Sequence, residues 1–438
     1  MKGKKNNHKT QALFGAIVAL LSLYAKTLYS DDRSHSELKK TNYTVQILGE
    51  GGFTTLSGSP MNPSNILRRR EKRTEVFSLI SGKYKVLGGK IGTELRIGYK
   101  YEWGEKKQDL FTDKYLDERV NQLYYSYTDG PYSIVIGRKK IRWGVAYSYS
   151  PTDLINQFKN PEDPEDRLFM VKGRDVVQAS YVCNNDQIDI VYMPDVDWGF
   201  NEKYVEDNAI GLRWYRFADP FDLAIVGKAK TNGDWAAGCN AAVAIGNSLE
   251  LHAEYLYDSK NQKKYPDQNT ASESFGYPYF IGKKKSVHNL VVGAQYTFDK
   301  INLTLEHIFR SSGYTGDEFV AYANRTEYLN ERMVDAAEIA EPLLYDVAKN
   351  YTLPMRKHYL FTRLYVSEVF SSVSFDINTL INYADGSGLL VFMPKYNGGK
   401  NYEVYCRIEK FWGGNDTEFG LVPDDFSAFL GFSYFMGS

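Results

Sequence analysis

The chain has 438 residues, with 53 lysines and arginines against 54 aspartates and glutamates, and only three cysteines. Near-neutral charge argues against nucleic acid as a partner, and Cys183, Cys239 and Cys406 are too few and scattered for a disulfide framework or a structural zinc. A soluble metalloenzyme is therefore disfavoured, whereas an aromatic share of 15% suits long strands whose ends meet a lipid–water interface.

Lys2, Lys4, Lys5 and Lys9 form a positive head before the apolar run Ala12–Ala25, and small or polar residues lead through Ser30 to Asp31 and Asp32. This is the layout of an export signal over residues 1–30, with the cut after Ala25 or near Ser30. An uncleaved anchor is the alternative, but the run is shorter than the roughly 20 residues that a spanning helix needs. Removing residues 1–30 leaves 48 basic and 54 acidic residues, a formal net of −6. Residues 31–40 then form a short periplasmic segment, too short for a plug domain, and 41–438 form the body of the protein. No other apolar run is long enough to cross a bilayer as a helix, so an exported soluble protein and a membrane β-barrel are the two readings.

Period-two patterning decides for the barrel. After a first strand YTVQILGEGGF, Ile91, Thr93, Leu95, Ile97, Tyr99 and Tyr101 share one face of a strand whose other face carries Glu94, Arg96, Lys100 and Glu102. Leu290, Val292, Ala294, Tyr296 and Phe298 mark another apolar row. Ile301, Leu303 and Leu305 alternate with Asn302, Thr304 and Glu306. Further on, Leu360, Thr362, Leu364 and Val366 oppose Arg363, and NYEVYCRIEKFW alternates again. Segments of about nine to twelve residues match a tilted bilayer crossing, whereas sandwich strands average about five or six.

Connections alternate in length as well. Short ones fall at Gly88–Gly89, Asp129–Gly130, Asn184–Asp186, Ala218–Pro220, Gly246–Ser248, Asp299–Lys300, Ser371–Ser372 and Asn397–Gly399. Long ones are expected at 48–73, 104–117, 141–171, 196–208, 232–238, 258–287, 310–357, 382–388 and 413–424. The expected fold is all-β: a transmembrane antiparallel barrel of about 18 strands, with 16 as runner-up, short periplasmic turns and long extracellular loops. An even count puts both chain ends on the periplasmic side. The last strand, DFSAFLGFSYFM, is aromatic-rich, although the chain runs three residues past Phe435.

Charges opposite apolar rows are the candidates for a pore lining: Glu94, Arg96, Lys100, Arg213, Glu306, Arg363, Arg407 and Glu409. A lone charge in lipid is costly, so energy and parity agree on their inward direction. Opposing signs could set a transverse field that sieves polar solutes, or neutralise one another for structure alone. Within 310–357, YLNERMVDAAEIAEPLLYDVAKNY lacks strand alternation and has helical spacing, with Pro342 expected to kink or end its first helix. This loop narrows the mouth or caps the rim. Lys260, Lys263, Lys264 and Lys283–Lys285 would meet outer-leaflet phosphates or draw anions to the mouth. The acidic stretches Asp163–Arg167 and Gly414–Asp416 have no calcium-loop spacing, and no metal or cofactor is expected.

The segment GRKKIRWGVAYSYSPTDL, Gly137–Leu154, is the most distinctive. Its Gly-Arg, Trp-Gly and Pro-Thr-Asp resemble a pattern in outer-membrane porin-like families, including alginate-export-like and related proteobacterial barrels. The resemblance implies an outer-membrane channel, with Arg138 and Arg142 facing the lumen and Trp143–Gly144 turning the chain inward, and these residues with Asp153 are candidates for a constriction or rim. A solvated rim cluster is the rival role for these residues. Parity puts Arg138 on the face of Ile134 and Ile136, a conflict that a bulge near Gly137, or the membrane rim at that height, would resolve.

No GxSxG or HExxH occurs and the histidines do not cluster, so no enzyme is expected. The sequence reads as an outer-membrane channel for passive diffusion of small polar or charged solutes, with outer-membrane lipid as its surroundings. The rivals are an export or electron-transfer conduit docking a periplasmic protein, and a closed structural or adhesive barrel.

Overall fold

The computed structural model describes residues 42–106, 109–156, 166, 168–195, 208–282, 286–399 and 401–437. The export signal expected at 1–30, the segment 31–40, most of Asp163–Arg167 and Lys283–Lys285 lie outside the described residues.

In chain order the first strands are β1 (Asn42–Leu56), β2 (Lys72–Val86), β3 (Gly89–Lys106), β4 (Asp109–Asp129) and β5 (Tyr132–Lys139). Next come β6 (Arg174–Cys183), β7 (Asp186–Met193), β8 (Ala209–Ala218), β9 (Phe221–Lys230), β10 (Trp235–Ile245) and β11 (Leu249–Asp258). A small hairpin, β12 (Lys264–Pro266) and β13 (Phe280–Gly282), precedes β14 (Val287–Phe298) and β15 (Ile301–Arg310). Two helices follow, α1 (Gly316–Glu331) and α2 (Ala337–Lys349). The chain ends with β16 (His358–Val366), β17 (Val373–Asn382), β18 (Gly388–Asn397), β19 (Tyr402–Trp412) and β20 (Asp424–Gly437).

All but the β12–β13 hairpin join one 18-stranded antiparallel sheet, as the alternation predicts. β1 closes it by pairing with both β2 and β20, so that Ile47 lies opposite Ser78 on one side and Tyr434 on the other. Closure leaves no sheet edge and satisfies the backbone within the wall, the condition for strands to sit in hydrocarbon. The two faces then differ by parity alone. In β15, Ile301, Leu303 and Leu305 are exposed outward while Thr304, Glu306 and Ile308 are buried inside. In β17 every second residue from Ser374 to Asn382 is buried.

The tight connections follow local chemistry. Leu87 (φ 50°) and Gly88 (φ 75°) both take positive φ, the twist that a two-residue hairpin loop needs. Four expectations about the connections fail. The loop expected at 48–73 is shorter, because β1 runs to Leu56. The long loop expected at 104–117 does not exist, because β3 runs to Lys106 and β4 starts at Asp109; the charged and aromatic residues there continue the ladder, with Trp103 opposite Thr112. The loop expected at 232–238 shrinks to four residues, since Trp235–Gly238 already pair in β10. Finally, Pro342 neither ends nor separates the helices. It sits inside α2, and the break falls upstream between Glu331 and Ala337. Packing of Ala340, Leu344 and Val347 carries α2 past the proline.

Helix α1 opens on a complete capping box, Thr315 Oγ1 accepting from the Glu318 amide and the Glu318 carboxylate from the Thr315 amide. Both helices share an apolar core with neighbouring loops, built on Ile66, Tyr265, Phe280, Tyr322, Leu344 and Leu421. The long-loop end of the barrel thus carries a cap with its own core. Two other apolar clusters lie within the barrel, and both contain residues from the connection between β5 and β6.

Candidate functional site

That connection defines the interior. Ile141, Trp143, Leu154 and Ile155 pack on inward residues of β6 to β11, including Val176, Val191, Val226 and Leu256. Ala146 and Tyr147 pack against the inner side chains of β14 to β18, with Tyr147 stacked on Phe361 at 6.0 Å between ring centroids. Residues 141–155 therefore run along the inside of the wall.

An extended segment inside a barrel presents amide groups that must find acceptors. Three carboxylates supply them. Asp153 (Oδ1) accepts from the amides of Trp143 (2.6 Å) and Gly144 (2.8 Å). Glu254 on β11 accepts from the amides of Val145 (2.6 Å), Ala146 (2.5 Å) and Thr152 (3.0 Å), and from the hydroxyls of Ser150 and Thr152. Glu306 on β15 accepts from the amides of Tyr147 (2.6 Å) and Ser148 (2.8 Å) and from the Ser148 hydroxyl. His252 Nε2 lies 2.9 Å from the same carboxylate. Six consecutive amides, 143 to 148, thus point at acidic side chains. Asn240 adds its amide to the Trp143 carbonyl (2.9 Å) and to Thr152 Oγ1 (2.8 Å).

The other sequence-predicted charges are found in pairs. Arg96 is fully buried between Glu75 and Asp117, with its Nε donating to the Leu168 carbonyl (3.0 Å) and its guanidinium over Phe77. Arg213 meets Asp189 at 2.7 Å, and Arg363 forms a two-pronged pair with Asp376 (2.9 and 2.8 Å) while covering Tyr147. Arg407 bridges Glu50 (2.9 Å) and Glu409, and Arg73 reaches the same Glu50 at 2.5 Å. Lys100 pairs with Glu102 at 2.7 Å, and Glu94 takes Lys140 at 2.6 Å.

Arg138 forms a buried pair with Asp175, its cross-strand partner, at 3.1 and 2.7 Å. The bulge expected at Gly137 is absent: both ladders keep register through it, and Gly137 instead takes φ 117°. The register shift falls on the neighbouring strand, where Asn121 is extra opposite Glu94 and Leu95. Arg142 is exposed, donating to the Gly144 (3.2 Å) and Ala146 (2.9 Å) carbonyls, while Trp143 is buried.

Sequence reasoning missed Asp376, Asp189 and Glu50, partners of residues it chose, and Glu254, which holds the inner segment. Each lies on the inward parity of its strand, so the rule that singled out Glu306 would have found them. It did not identify Ser148, Ser150 or Thr152 as ligands of carboxylates, because hydroxyls in a loop carry no directional signal.

Between this segment, inner positions of β6, β9 to β11, β14 and β15, and the cap lies a cavity of about 910 Å³. Among the described residues its lining has eight basic side chains, Arg174 and Arg310 among them, against four aspartates. Lys263 lines it from the loop before β12. Burial, with the charge of Arg310 adding, brings its ammonium down to about 7, and its Nζ donates to the Met355 carbonyl at 2.6 Å.

No protein-family model and no curated protein matches this chain. Solved structures do. Acinetobacter baumannii OccAB1 superposes with a TM-score of 0.56 at 9% identity, over 93% of this chain and 99% of that one. Pseudomonas aeruginosa OccK5 (OpdH) gives 0.53 at 9% over 92% and 99%, and P. aeruginosa OccK11 (OpdR) gives 0.51 at 8% over 91% and 96%. At such identities the likeness speaks for architecture alone: this chain has the closed 18-stranded fold of the Occ porin barrels.

Proposed function

We propose that the protein is an outer-membrane channel through which small polar or charged solutes diffuse passively. The observation that carries this reading is the segregation within single strands. The same strands show hydrocarbon-compatible rows outward, such as Ile301, Leu303 and Leu305, and ionised or hydroxylic groups inward, such as Glu306 and Thr304. Water inside and lipid outside is the pair of solvents that suits both faces.

In this reading the segment 141–155 narrows the lumen, and its carboxylate anchors keep it fixed. Arg142, exposed on that segment, and the partly exposed Arg73, Lys100 and Arg407 would meet the passing solute. The basic excess in the 910 Å³ cavity favours anions over cations. The resemblance of Gly137–Leu154 to alginate-export-like barrels is in keeping with a channel role for this segment. A conduit threaded by a periplasmic partner fits less well, because residues 141–155 occupy the inner wall that such a partner would need.

Single-channel recording of the purified protein in planar bilayers tests the proposal. Discrete open steps with an anion bias are expected. Persistent silence of folded, inserted protein would sink the open-channel reading.

A further inference from the structure

A different feature lies on the outside of the barrel, where β15, β16 and β17 reach the long-loop end. Along β15 the outward row Ile301, Leu303, Leu305 gives way to His307 and Phe309. Phe309 pairs with His358 across the ladder, and the His307 and His358 rings approach to 3.5 Å between Nε2 and Nδ1. Tyr383, just after β17, lies against His307 with centroids 5.6 Å apart. A switch from aliphatic to aromatic and imidazole side chains along one outward row marks the depth where hydrocarbon meets headgroups.

Directly beyond this belt stand Arg356 and Lys357, half-buried. Neither has a carboxylate within ion-pair distance among the described residues, unlike the arginines inside the barrel. The Arg356 guanidinium is steadied over the Phe319 ring at 4.7 Å. With Thr315, Gly316, His358 and Tyr383, both cations line a surface cavity of about 560 Å³ that has no acidic residue in its lining.

We infer that this cavity binds the phosphate-bearing headgroup of an outer-leaflet lipid. The inference rests on the membrane-channel reading, since only insertion brings the cavity to headgroup depth. Arg356 supplies a planar fork for phosphate oxygens and Lys357 a mobile point charge. The Tyr383 and His358 rings floor the site at the level where acyl chains begin. A free phosphate would gain nothing from that aromatic floor, so the position of the cations favours a lipid.

Native mass spectrometry of the full chain in detergent, titrated with lipid A carrying two phosphates, tests this. A one-to-one adduct is expected, weakened at least tenfold by R356Q/K357Q and retained by R356K/K357R. Dephosphorylated lipid A should bind at least tenfold more weakly. Equal binding of the two lipids, or undiminished binding by R356Q/K357Q, overturns the inference. So does inorganic phosphate binding as tightly as lipid A and displacing it. Conductance of the same preparation in a bilayer free of lipid A separates the two readings. Channels without lipid A binding overturn this site alone, whereas folded protein that neither inserts nor conducts overturns both.

Discussion

The carboxylate of Glu306 accepts the backbone amide of Tyr147 at 2.6 Å, although 159 residues separate them in the chain. This contact, with its neighbour to Ser148 and the parallel set on Glu254, pins an otherwise irregular segment to the inner wall. Each hydrogen bond to an ionised acceptor contributes roughly 1.5–3 kcal/mol. Two carboxylates with several such bonds offset much of the entropy of ordering the segment, at about 1–2 kcal/mol per residue.

Removing the anchors should therefore free the segment. E254Q and E306Q, alone and together, are expected to raise single-channel conductance and its open-state noise. S148A should act more weakly, because it deletes one donor and leaves the carboxylate in place. A double variant with the conductance and noise of the parent would show that the segment is not the constriction.

The Arg363–Asp376 pair offers a stability test. Both side chains are buried, so R363M strips Asp376 of its two-pronged partner and should cost about 3–5 kcal/mol. R363M/D376L removes both charges and should recover most of that loss. The midpoint of thermal unfolding, followed by circular dichroism in detergent, reports both. Equal destabilisation by the single and double variants would mean that packing, not the charge pair, sets the cost.

Selectivity should depend on pH through Lys263. Its ammonium titrates at about 7 and lines the basic cavity, so it is charged below that pH and neutral above it. Anion preference is expected to be greater at about pH 6 than at about pH 8. K263Q should flatten the change. Reversal potentials under a salt gradient measure it, and a K263Q profile as steep as the parent's would assign the titration elsewhere.

Glu418, in the loop between β19 and β20, gives the cap its own pH response. Burial pushes its carboxyl up to about 7, and the charge of Asp385 adds to the shift. The amide of Met355 (2.6 Å) and the Tyr359 hydroxyl (2.8 Å) pull the other way. A raised folded-state value means the folded cap holds the proton more tightly than the unfolded chain. Its stabilisation is complete below the unfolded value of 4.5 and is lost as pH rises through about 7. Hydrogen exchange over residues 316–349 should accordingly quicken from about pH 5 to about pH 8, after correction for intrinsic rates. E418Q should remove that slope; if the slope survives, another group is responsible.

Much of the architecture was legible because a strand's two faces are set by covalent geometry. The row from Ile91 to Tyr101 and the row from Ile301 to Leu305 could be read residue by residue, and counting rows between turns led to 18 strands. Loop lengths were less legible. At 104–117 and 232–238 polar residues looked like loop, yet the ladder continued through them, because the strand ends at the long-loop rim mix charged, polar and aromatic residues without alternation. Pro342 misled for a related reason: tertiary packing of α2 overrode a local helix-breaking preference.

The inward direction of Arg96, Arg363 and Arg407 followed from parity and the cost of charge in lipid. Their partners did not. Whether opposite charges set a field or neutralise each other depends on which strands lie side by side and at what register. Arg363–Asp376 exists because the β16–β17 hairpin sets their register, and Arg407–Glu50 because closure brings β1 beside β20 and β19. By itself the sequence determined an alternating, all-β wall with charge on one side, since period two is a property of each strand alone. Only the tertiary structure decided that residues 141–155 lie inside, held by Glu254 and Glu306. That choice is made by carboxylates more than a hundred residues away, whose approach no local pattern records.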